Sequence, residues 1–362
     1  MKPAFTKKLL DWNKQQNNRE MPWKGEKDPY KIWLSEIILQ QTRVEQGWEY
    51  YERFIKTFPT VKKLAAAPDE KVFKLWEGLG YYSRCRNLLA SARWIVEKNN
   101  GRFPDTYEMI LSLKGVGPYT AAAISSFAFQ LPHAVVDGNV QRVLSRYFGI
   151  TTPIDSTQGK KVYDQLAQAL LDTDAPGEYN QAIMDFGAVI CKPQSPLCEQ
   201  CYQKKDCVAL SINAIKELPV KSKSIQIKER WFDYFILIYK KQLYIRKRTT
   251  KDIWEQLHEF VLLESTDGFA NAAITKKYIY DIVGNGKVVA RPIGKPIMQK
   301  LSHQHIHGRF TLIELEKTPR LPEGFEKLPV SKISTLAFPK LINTFLESHS
   351  GILFGADNSH KK

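Results

Sequence analysis

Residues 106–129, TYEMILSLKGVGPYTAAAISSFAF, decide how the first half of the chain folds. TYEMILSL reads as a helix, KGVGPY as a tight hairpin and TAAAISSFAF as a second helix. Gly115 and Gly117 flank Val116 and permit a sharp turn with unshielded amides, and Pro118 takes the first position of the second helix. Backbone N–H groups then point outward at a helix N-terminus, which binds a phosphate without a side-chain charge. From Gly115 to Val136 there is no Asp, Glu, Lys or Arg, a run long enough for a membrane span. Pro118, Ser125, Ser126, Gln130, Pro132 and His133 interrupt it, so a helix buried on all sides of a soluble domain is expected instead.

The spacing LxGVGxxTA between two helices is that of a helix-hairpin-helix DNA-binding unit, although GxG alone carries little information. Charge points the same way. The 362 residues, enough for two or three domains, carry 53 Lys and Arg against 38 Asp and Glu, a net +15 that calls for a polyanion. Nucleic acid is the first candidate and an anionic membrane the second. The opening MKPAFTKKLLDWNKQ sets Asp11 and Lys14 where a signal peptide needs an apolar run, so a cytoplasmic, nucleoid-associated protein without a membrane anchor is expected. Its cysteines then need an explanation other than stable disulfides.

Upstream of the hairpin, Asp28 and Pro29 open a helix with Tyr30, Trp33, Leu34, Ile37 and Ile38 on one face. Within it lies SEIILQQT, where Glu36 falls off the apolar face; such a carboxylate is ordinarily a solvated surface group. Downstream, VDGNVQR places Asp137 before a periodic helix, ordinarily as its N-cap, and the amides that a cap accepts also keep a buried carboxylate ionised. Two carboxylates facing each other across a cleft are what glycosidic-bond cleavage asks for. Further helices are expected at 44–57, 61–66 and 70–76, then one opening at Tyr81-Tyr82 with Arg84, Arg86 and Arg93. Those aromatics suit either core packing or a wedge between bases.

Cys191, Cys198, Cys201 and Cys207 follow as C-x6-C-x2-C-x5-C, with Pro193 and Pro196 shaping the first loop. Four thiols so close together imply a metal site. Ligand chemistry suits both zinc and iron–sulfur, and one long, one short and one medium loop favour a single four-iron cluster. Gln203, Lys204 and Lys205 lie on the loop between the last two ligands and can present charge to a phosphate; Cys85 stands apart as a packed thiol.

Residues 213–228 are polar and basic and read as a linker. Beyond them RWFDYFILIYKKQLYIRKR is two strands with a short turn, and EFVLLE, KVVARPIG, MQKLSHQHIHGRF and TLIELE read as further strands of an α+β domain. No Gly-rich phosphate loop or glutamate cluster for magnesium occurs there, which argues against catalysis in this domain. His303, His305 and His307 alternate along one strand without a fourth ligand and are read as strand-face residues. Past Gly351 the tail is expected to lack regular structure.

Together REMPWKG, DPYKIWLSEIILQQTRV, GLGYYSRCRNL, LKGVGPYTAAAI, VDGNVQRVLSR, the cysteine set and the late SH resemble the adenine-specific mismatch DNA glycosylases of the MutY family, in the endonuclease III-like helix-hairpin-helix superfamily. The resemblance implies a multi-domain, mainly α glycosylase core with an iron-sulfur domain plus an α+β Nudix-like C-terminal domain. Residues 25–130 would form a six-helix barrel with the hairpin, 1–24 and 131–212 the iron-sulfur domain, 213–228 the linker, 229–348 the Nudix-like lesion-recognition domain and 349–362 the tail. It implies a [4Fe-4S] cluster on the four cysteines. The partner would be double-stranded DNA with adenine opposite 8-oxoguanine or guanine, acted on by a monomer.

By the same resemblance Glu36 is a general acid held protonated by its surroundings, and Asp137 an ionised partner for the sugar. Tyr119 and Asn139 fix their geometry. Arg19, Trp23 and Lys24 line the adenine pocket, with Lys24 where relatives often carry Arg. Leu39, Gln41 and Tyr81 fill or wedge the vacated stack, and Gly115, Val116, Gly117, Lys204 and Lys205 meet the backbone. Ser302 and His303 read the lesion base, with Leu301 in place of the usual Phe. Tyr119 stands where the endonuclease III branch has a Schiff-base lysine, which implies a monofunctional enzyme that leaves an abasic site. An endonuclease III-like activity on oxidised pyrimidines, and a cluster-bearing DNA-binding protein without chemistry, are the competing readings.

Overall fold

Short polar side chains open many of the helices, each accepting an amide that the helix itself leaves unpaired. Asp28 accepts from Tyr30 N, Thr60 from Lys63 N, Thr106 from Met109 N, Asp137 from Val140 N and Ser156 from Gly159 N. The computed structural model describes residues 3–222, 226–284 and 288–354. In chain order the helices are α1 (Ala4–Gln16), α2 (Pro29–Leu39), α3 (Val44–Thr57), α4 (Val61–Ala65), α5 (Asp69–Trp76), α6 (Tyr82–Lys98), α7 (Tyr107–Leu111), α8 (Pro118–Phe129), α9 (Gly138–Phe148), α10 (Thr157–Leu170), α11 (Pro176–Val189) and α12 (Val208–Ser211). There follow β1 (Lys228–Tyr239), β2 (Gln242–Lys247), β3 (His258–Glu259), β4 (Val261–Ser265), α13 (Ala272–Val283), β5 (Val288–Lys300), β6 (Gln304–Leu315), β7 (Phe325–Pro329) and α14 (Lys340–Phe354). None of the described helices is long and apolar enough to cross a membrane.

The chain divides into two compact units, Met1–Ala67 with Arg86–Ser224 and Pro68–Cys85 with Ile225–Lys362. In the first, α2 is buried from Ile32 to Ile38 without a break. The helix is therefore buried on more than the single apolar face expected, and Glu36, ordinarily a solvated group on the helix pattern alone, is only 7% exposed. Gly47 lets α3 come close to it: a Cβ there would stand 2.8 Å from Leu39 Cδ2. A second core joins Phe5, Leu9 and Trp12 of α1 to Val140, Val143 and Leu144 of α9 and to Tyr179 and Phe186 of α11. Trp12 meets Phe186 edge-on at 5.0 Å. The hairpin between α7 and α8 turns at Gly115, whose φ is +81°, and Ser91 Oγ donates to Lys114 O at 3.1 Å behind it.

The second unit holds a seven-stranded mixed sheet among the described residues, in the order β3-β2-β1-β6-β5, with β4 also pairing β1 and β7 pairing β2. β1 and β6 run parallel from Lys228 opposite Gln304 to Ile238 opposite Glu314; the other pairs are antiparallel. Rings stack through the layers, Tyr234 on Phe310 at 5.2 Å and Phe310 on Phe345 at 3.9 Å. Two expectations change here. MQK ends β5 and QHIHGRFTLIEL is one strand, so Ser302 and His303 form the hairpin tip between them and His303 does not share a strand with His305 and His307. Those two histidines are tied to Glu229, at 2.8 and 2.7 Å. The expected unstructured tail is helical as far as Phe354, and the remainder lies outside the described residues. Residues 68–85 belong to this unit through Lys74 Nζ donating to Leu336 O (2.9 Å) and Phe338 N donating to Glu77 Oε1 (2.8 Å).

Gly187 on α11 is where α9 comes closest: a Cβ there would lie 2.7 Å from Asn139 Cβ and 3.1 Å from Asn139 O. Gly187→Ala should lower the thermal unfolding stability by about 1–3 kcal/mol through overpacking. Calorimetry of the two forms checks this.

Candidate active site

Loop 17–27 and helices α2, α8, α9 and α11 surround a cleft of about 640 Å³. Glu36, Tyr119, Asp137 and Asn139 all line it, as do Arg19, Trp23, Lys24 and Leu39. Each carboxylate reaches it for a different reason. Glu36 comes from the buried middle of α2, so its carboxyl stands among apolar groups. Asp137 comes from the N-terminus of α9, where Oδ1 accepts Val140 N at 2.8 Å and Oδ2 accepts Asn139 Nδ2 at 2.7 Å.

These settings act differently on the two acids. Burial pushes the Glu36 carboxyl from 4.5 up to about 7; the Tyr119 hydroxyl, hydrogen-bonded to it, opposes this and the Asp137 charge adds to it. Burial also lifts Asp137 above 3.8, but the Val140 amide, the Asn139 side chain and amide, and the Arg142 guanidinium pull it back. Tyr119, driven well above 10 by burial and then by both carboxylates, keeps its proton and can donate to Glu36. Its hydroxyl also lies 3.4 Å from Met184 Sδ. Burial raises both carboxyls, but only Asp137 is offset by two amides, an amide side chain and a guanidinium, and such unequal surroundings suit acid and anion roles in one reaction.

Trp23 is buried against Tyr51 (5.4 Å, edge-on) and Trp48 (6.4 Å), giving the cleft an aromatic wall. Asp185 of α11, fully buried, binds Arg19 Nη1 at 2.8 Å and Lys24 Nζ at 3.1 Å. Asp185, Gln181, Glu178 and Met184 were not foreseen. The signal for Asp185 was the same as for Glu36, one carboxylate inside an apolar helical run, here AIMDFGAVI.

The other expected residues lie elsewhere. Gln41 and Tyr81 are exposed and hold φ of +57° and +47°, a left-handed backbone that costs non-glycine residues energy and is concentrated at functional sites. In the second unit the Tyr81 hydroxyl hydrogen-bonds Ser302, and His303 is exposed beside it in sequence. In the hairpin Val116 is buried, Gly115 is exposed and Gly117 faces open space. Lys204 and Lys205 are exposed, Lys204 paired with Glu199.

The four cysteines sit on a loop pinned to α9. Arg142 donates to Cys191 O (2.7 Å) and Gly187 O (2.7 Å), and Arg146 to Lys192 O (2.7 Å), Pro193 O (3.1 Å) and Leu218 O (3.0 Å). Arg146 also approaches Cys191 Sγ at 3.6 Å. Burial pushes the Cys201 thiol up to about 12, and Cys191, Cys207 and Cys198 each add to it, so the four sulfurs are within electrostatic reach of one another. Among the described residues no three Cys, His, Asp or Glu side chains are grouped as they are around a single metal ion.

A raised Glu36 pKa is a cost to the fold. Its neutral form is the favoured one, so the stability present below about pH 4.5 falls as pH rises through about 7. At roughly 1.4 kcal/mol per factor of ten the penalty reaches about 3 kcal/mol. Glu36→Gln should therefore be more stable than the wild type by up to about 3 kcal/mol at pH 8 and equal to it near pH 4, as denaturant unfolding at the two pH values will read.

An acid and a capped carboxylate around one cleft, next to a hairpin that turns at an exposed Gly115, equip a chain to break a glycosidic bond in DNA, and define it as a helix-hairpin-helix glycosylase. Residues 34–169 match the HhH-GPD superfamily base excision DNA repair protein family, a span that includes both carboxylates and the hairpin. The chain is 37% identical over 258 residues to the adenine DNA glycosylase of Buchnera aphidicola subsp. Baizongia pistaciae, covering 71% of this chain and 73% of that one. It is 44% identical over 215 residues to the Homo sapiens adenine DNA glycosylase, 57% of this chain and 39% of that one. A thermostable thymine-DNA glycosylase superposes with a TM-score of 0.53 at 32% identity, covering 57% of this chain and 95% of that one. The chain belongs to the adenine DNA glycosylase family.

Proposed function

We propose that the protein removes adenine mispaired with 8-oxoguanine or guanine in double-stranded DNA, by hydrolysing the N-glycosidic bond and leaving an abasic site. The observation that carries this reading is the buried Glu36 and the capped Asp137 lining one cleft with Tyr119 and Asn139 in a chain of this family. A paired adenine is out of reach, so the nucleotide must leave the stack at a cost of a few kcal/mol, least at a mispair. In the first unit Gln41, exposed with a left-handed backbone, and Leu39 at the end of α2 are suited to hold a vacated space; in the second unit Tyr81, likewise exposed and left-handed, is suited to a wedge. Gly115 and Gly117 offer amides to the phosphates, and Lys204 and Lys205 ammonium groups, while Val116, buried and with its N–H donated to Leu113 O (3.1 Å), holds the turn between the two glycines.

In the cleft Arg19, Trp23 and Lys24 bind the base. Glu36 gives its proton to a ring nitrogen as the bond to the sugar breaks, turning adenine into a neutral leaving group. Asp137 stabilises the positive charge that grows on the sugar, by its field or as a transient nucleophile. Tyr119 and Asn139 fix the two carboxyls, and Glu36 then takes a proton from the attacking water. Lys24 is bound to Asp185 and to Arg19 O, so it is engaged rather than free to attack the sugar, in keeping with a monofunctional enzyme.

The four thiols fit a [4Fe-4S] cluster as a donor set: they are carried on one short loop and lie within electrostatic reach of one another. Cys191, Cys198, Cys201 and Cys207 would hold it, and bound there it would supply a covalent cross-link for the loop carrying Lys204 and Lys205. The mixed sheet and the Ser302–His303 tip support a Nudix-like lesion-recognition module for residues 229–348. A soluble monomer located at the nucleoid completes the reading.

Glu36→Gln should lower single-turnover excision from an adenine:8-oxoguanine duplex by more than a hundredfold, while a loss below tenfold would sink the acid assignment. Borohydride should trap almost none of the enzyme on substrate, since a hydrolytic mechanism forms no Schiff base. Affinity for the duplex should fall with a log–log salt slope of about −0.9 per phosphate neutralised.

A further inference from the structure

Ser302 and His303 stand exposed on a two-residue turn, closed by Leu301 N donating to Gln304 O at 2.8 Å. A turn this short takes its position from the strands that flank it, and the bonds nearest the tip decide how firmly it is held. Those bonds come from the first residues of β1, which runs parallel beside the start of β6. Lys228 N donates to His303 O (3.0 Å) and Arg230 Nη1 to Gln304 Oε1 (3.3 Å). Between them Glu229 takes one histidine on each oxygen, His305 Nδ1 on Oε1 (2.8 Å) and His307 Nε2 on Oε2 (2.7 Å). As alternate strand residues the two histidines share one face of the sheet, and a single carboxylate on the neighbouring strand bridges them. Trp231 lies flat against the His307 ring, their centroids 5.1 Å apart. The bond from His307, and after it that from His305, holds the Glu229 carboxyl below its ordinary 4.5. It is therefore an anion that only accepts, and each ring nitrogen facing it carries a proton.

We propose that Glu229 is a positioning residue for lesion recognition: by bridging His305 and His307 it fixes the start of β6, and with it the Ser302–His303 tip, in the place from which the tip tells 8-oxoguanine from guanine opposite the adenine. The proposal rests on the reading of that tip as the lesion reader. Glu229 acts through the two histidines, and the backbone of β6 carries its effect to His303. Hydrogen bonds to an ionised group are stronger than neutral ones, and two of them close over the end of a strand pair, where backbone pairing alone is weakest. The Glu229 side chain is 40% exposed, against 21% for His305 and 26% for His307. Ion pairs so open to water add little to overall stability, so the bridge governs where the tip stands rather than whether the domain folds.

Amide hydrogen exchange of the full chain without DNA, followed by NMR, reads the bridge directly. Glu229→Ala should speed exchange about tenfold at Leu301 and Lys228, whose N–H groups close the turn and tie it to β1, and leave amides in the middle of the β1–β6 pair unchanged. Single-turnover excision of adenine opposite 8-oxoguanine and opposite guanine reads the consequence. Glu229→Ala should slow the first about tenfold and leave the second unchanged, so that the preference between the two duplexes falls. A merely structural role would slow both alike. Glu229→Gln, which keeps the shape and one acceptor oxygen, should fall between the wild type and Glu229→Ala in both measurements. An unchanged Leu301 exchange rate, an unchanged preference, or an equal loss on the two duplexes overturns the proposal. If Glu229→Ala does not fold, Glu229→Gln decides, and a wild-type exchange rate or a wild-type preference there overturns it equally. A wild type that excises adenine with no preference for 8-oxoguanine would remove the reading of the tip, whereas the exchange rates need no DNA and decide the bridge separately.

Discussion

Everything in the first unit depends on one costly placement, a carboxyl in the middle of a helix that is buried on every side. Glu36 is surrounded from Ile32 to Ile38 by residues with almost no exposure, so its negative form lacks solvation and its proton stays on to about pH 7. The cost of that burial is also what makes the group useful: an acid at the operating pH has to be uncomfortable as an anion. The neighbouring structure acts on this state from both sides: the Asp137 charge adds to it, whereas the Tyr119 hydroxyl, donating to the carboxyl, opposes it.

Asp137 is a product of the opposite strategy. It sits at a helix end, where amides and Asn139 solvate its charge, and α9 is fixed at that end by Arg142 and Arg146. Arg142 joins Gly138 O and the Asn139 side chain to Gly187 O and Cys191 O, so one guanidinium connects the cleft-lining end of α9 with the cysteine loop. The close approach of Gly187 to Asn139 makes the same connection through packing. Side chains a few ångströms from the cleft thus inherit their position from the loop that carries the four thiols.

In the second unit the sheet serves to present a hairpin tip. Two long strands, β5 and β6, end at residues 301–303, and the tip meets Tyr81, which the α5–α6 turn holds in a left-handed conformation. Buried arginines stiffen the sheet end beneath it: Arg230 with Glu264 and Asp252, Arg248 with Glu259 and Asp252. Breaking one partner of such a network is expensive, which favours a single geometry over several.

The sequence by itself determined the elements with local causes. The caps at Asp28 and Asp137, the hairpin at Gly115 and Gly117, the cysteine spacing and the change from helical to strand periodicity near residue 228 were all legible, because each is written in neighbouring residues. Tertiary structure decided what depends on distant neighbours. A helical wheel sets Glu36 off the apolar face, and only the elements closing around α2 show that this face is buried too. The breaks between β5 and β6 were misread because Ser302 and His303 look like strand residues until pairing fixes the register. In the sequence Asp185 is one more helical carboxylate, since its partners Arg19 and Lys24 lie more than 160 residues away along the chain. Local propensity records what a residue favours, whereas the charge state of a buried acid is a property of everything packed around it.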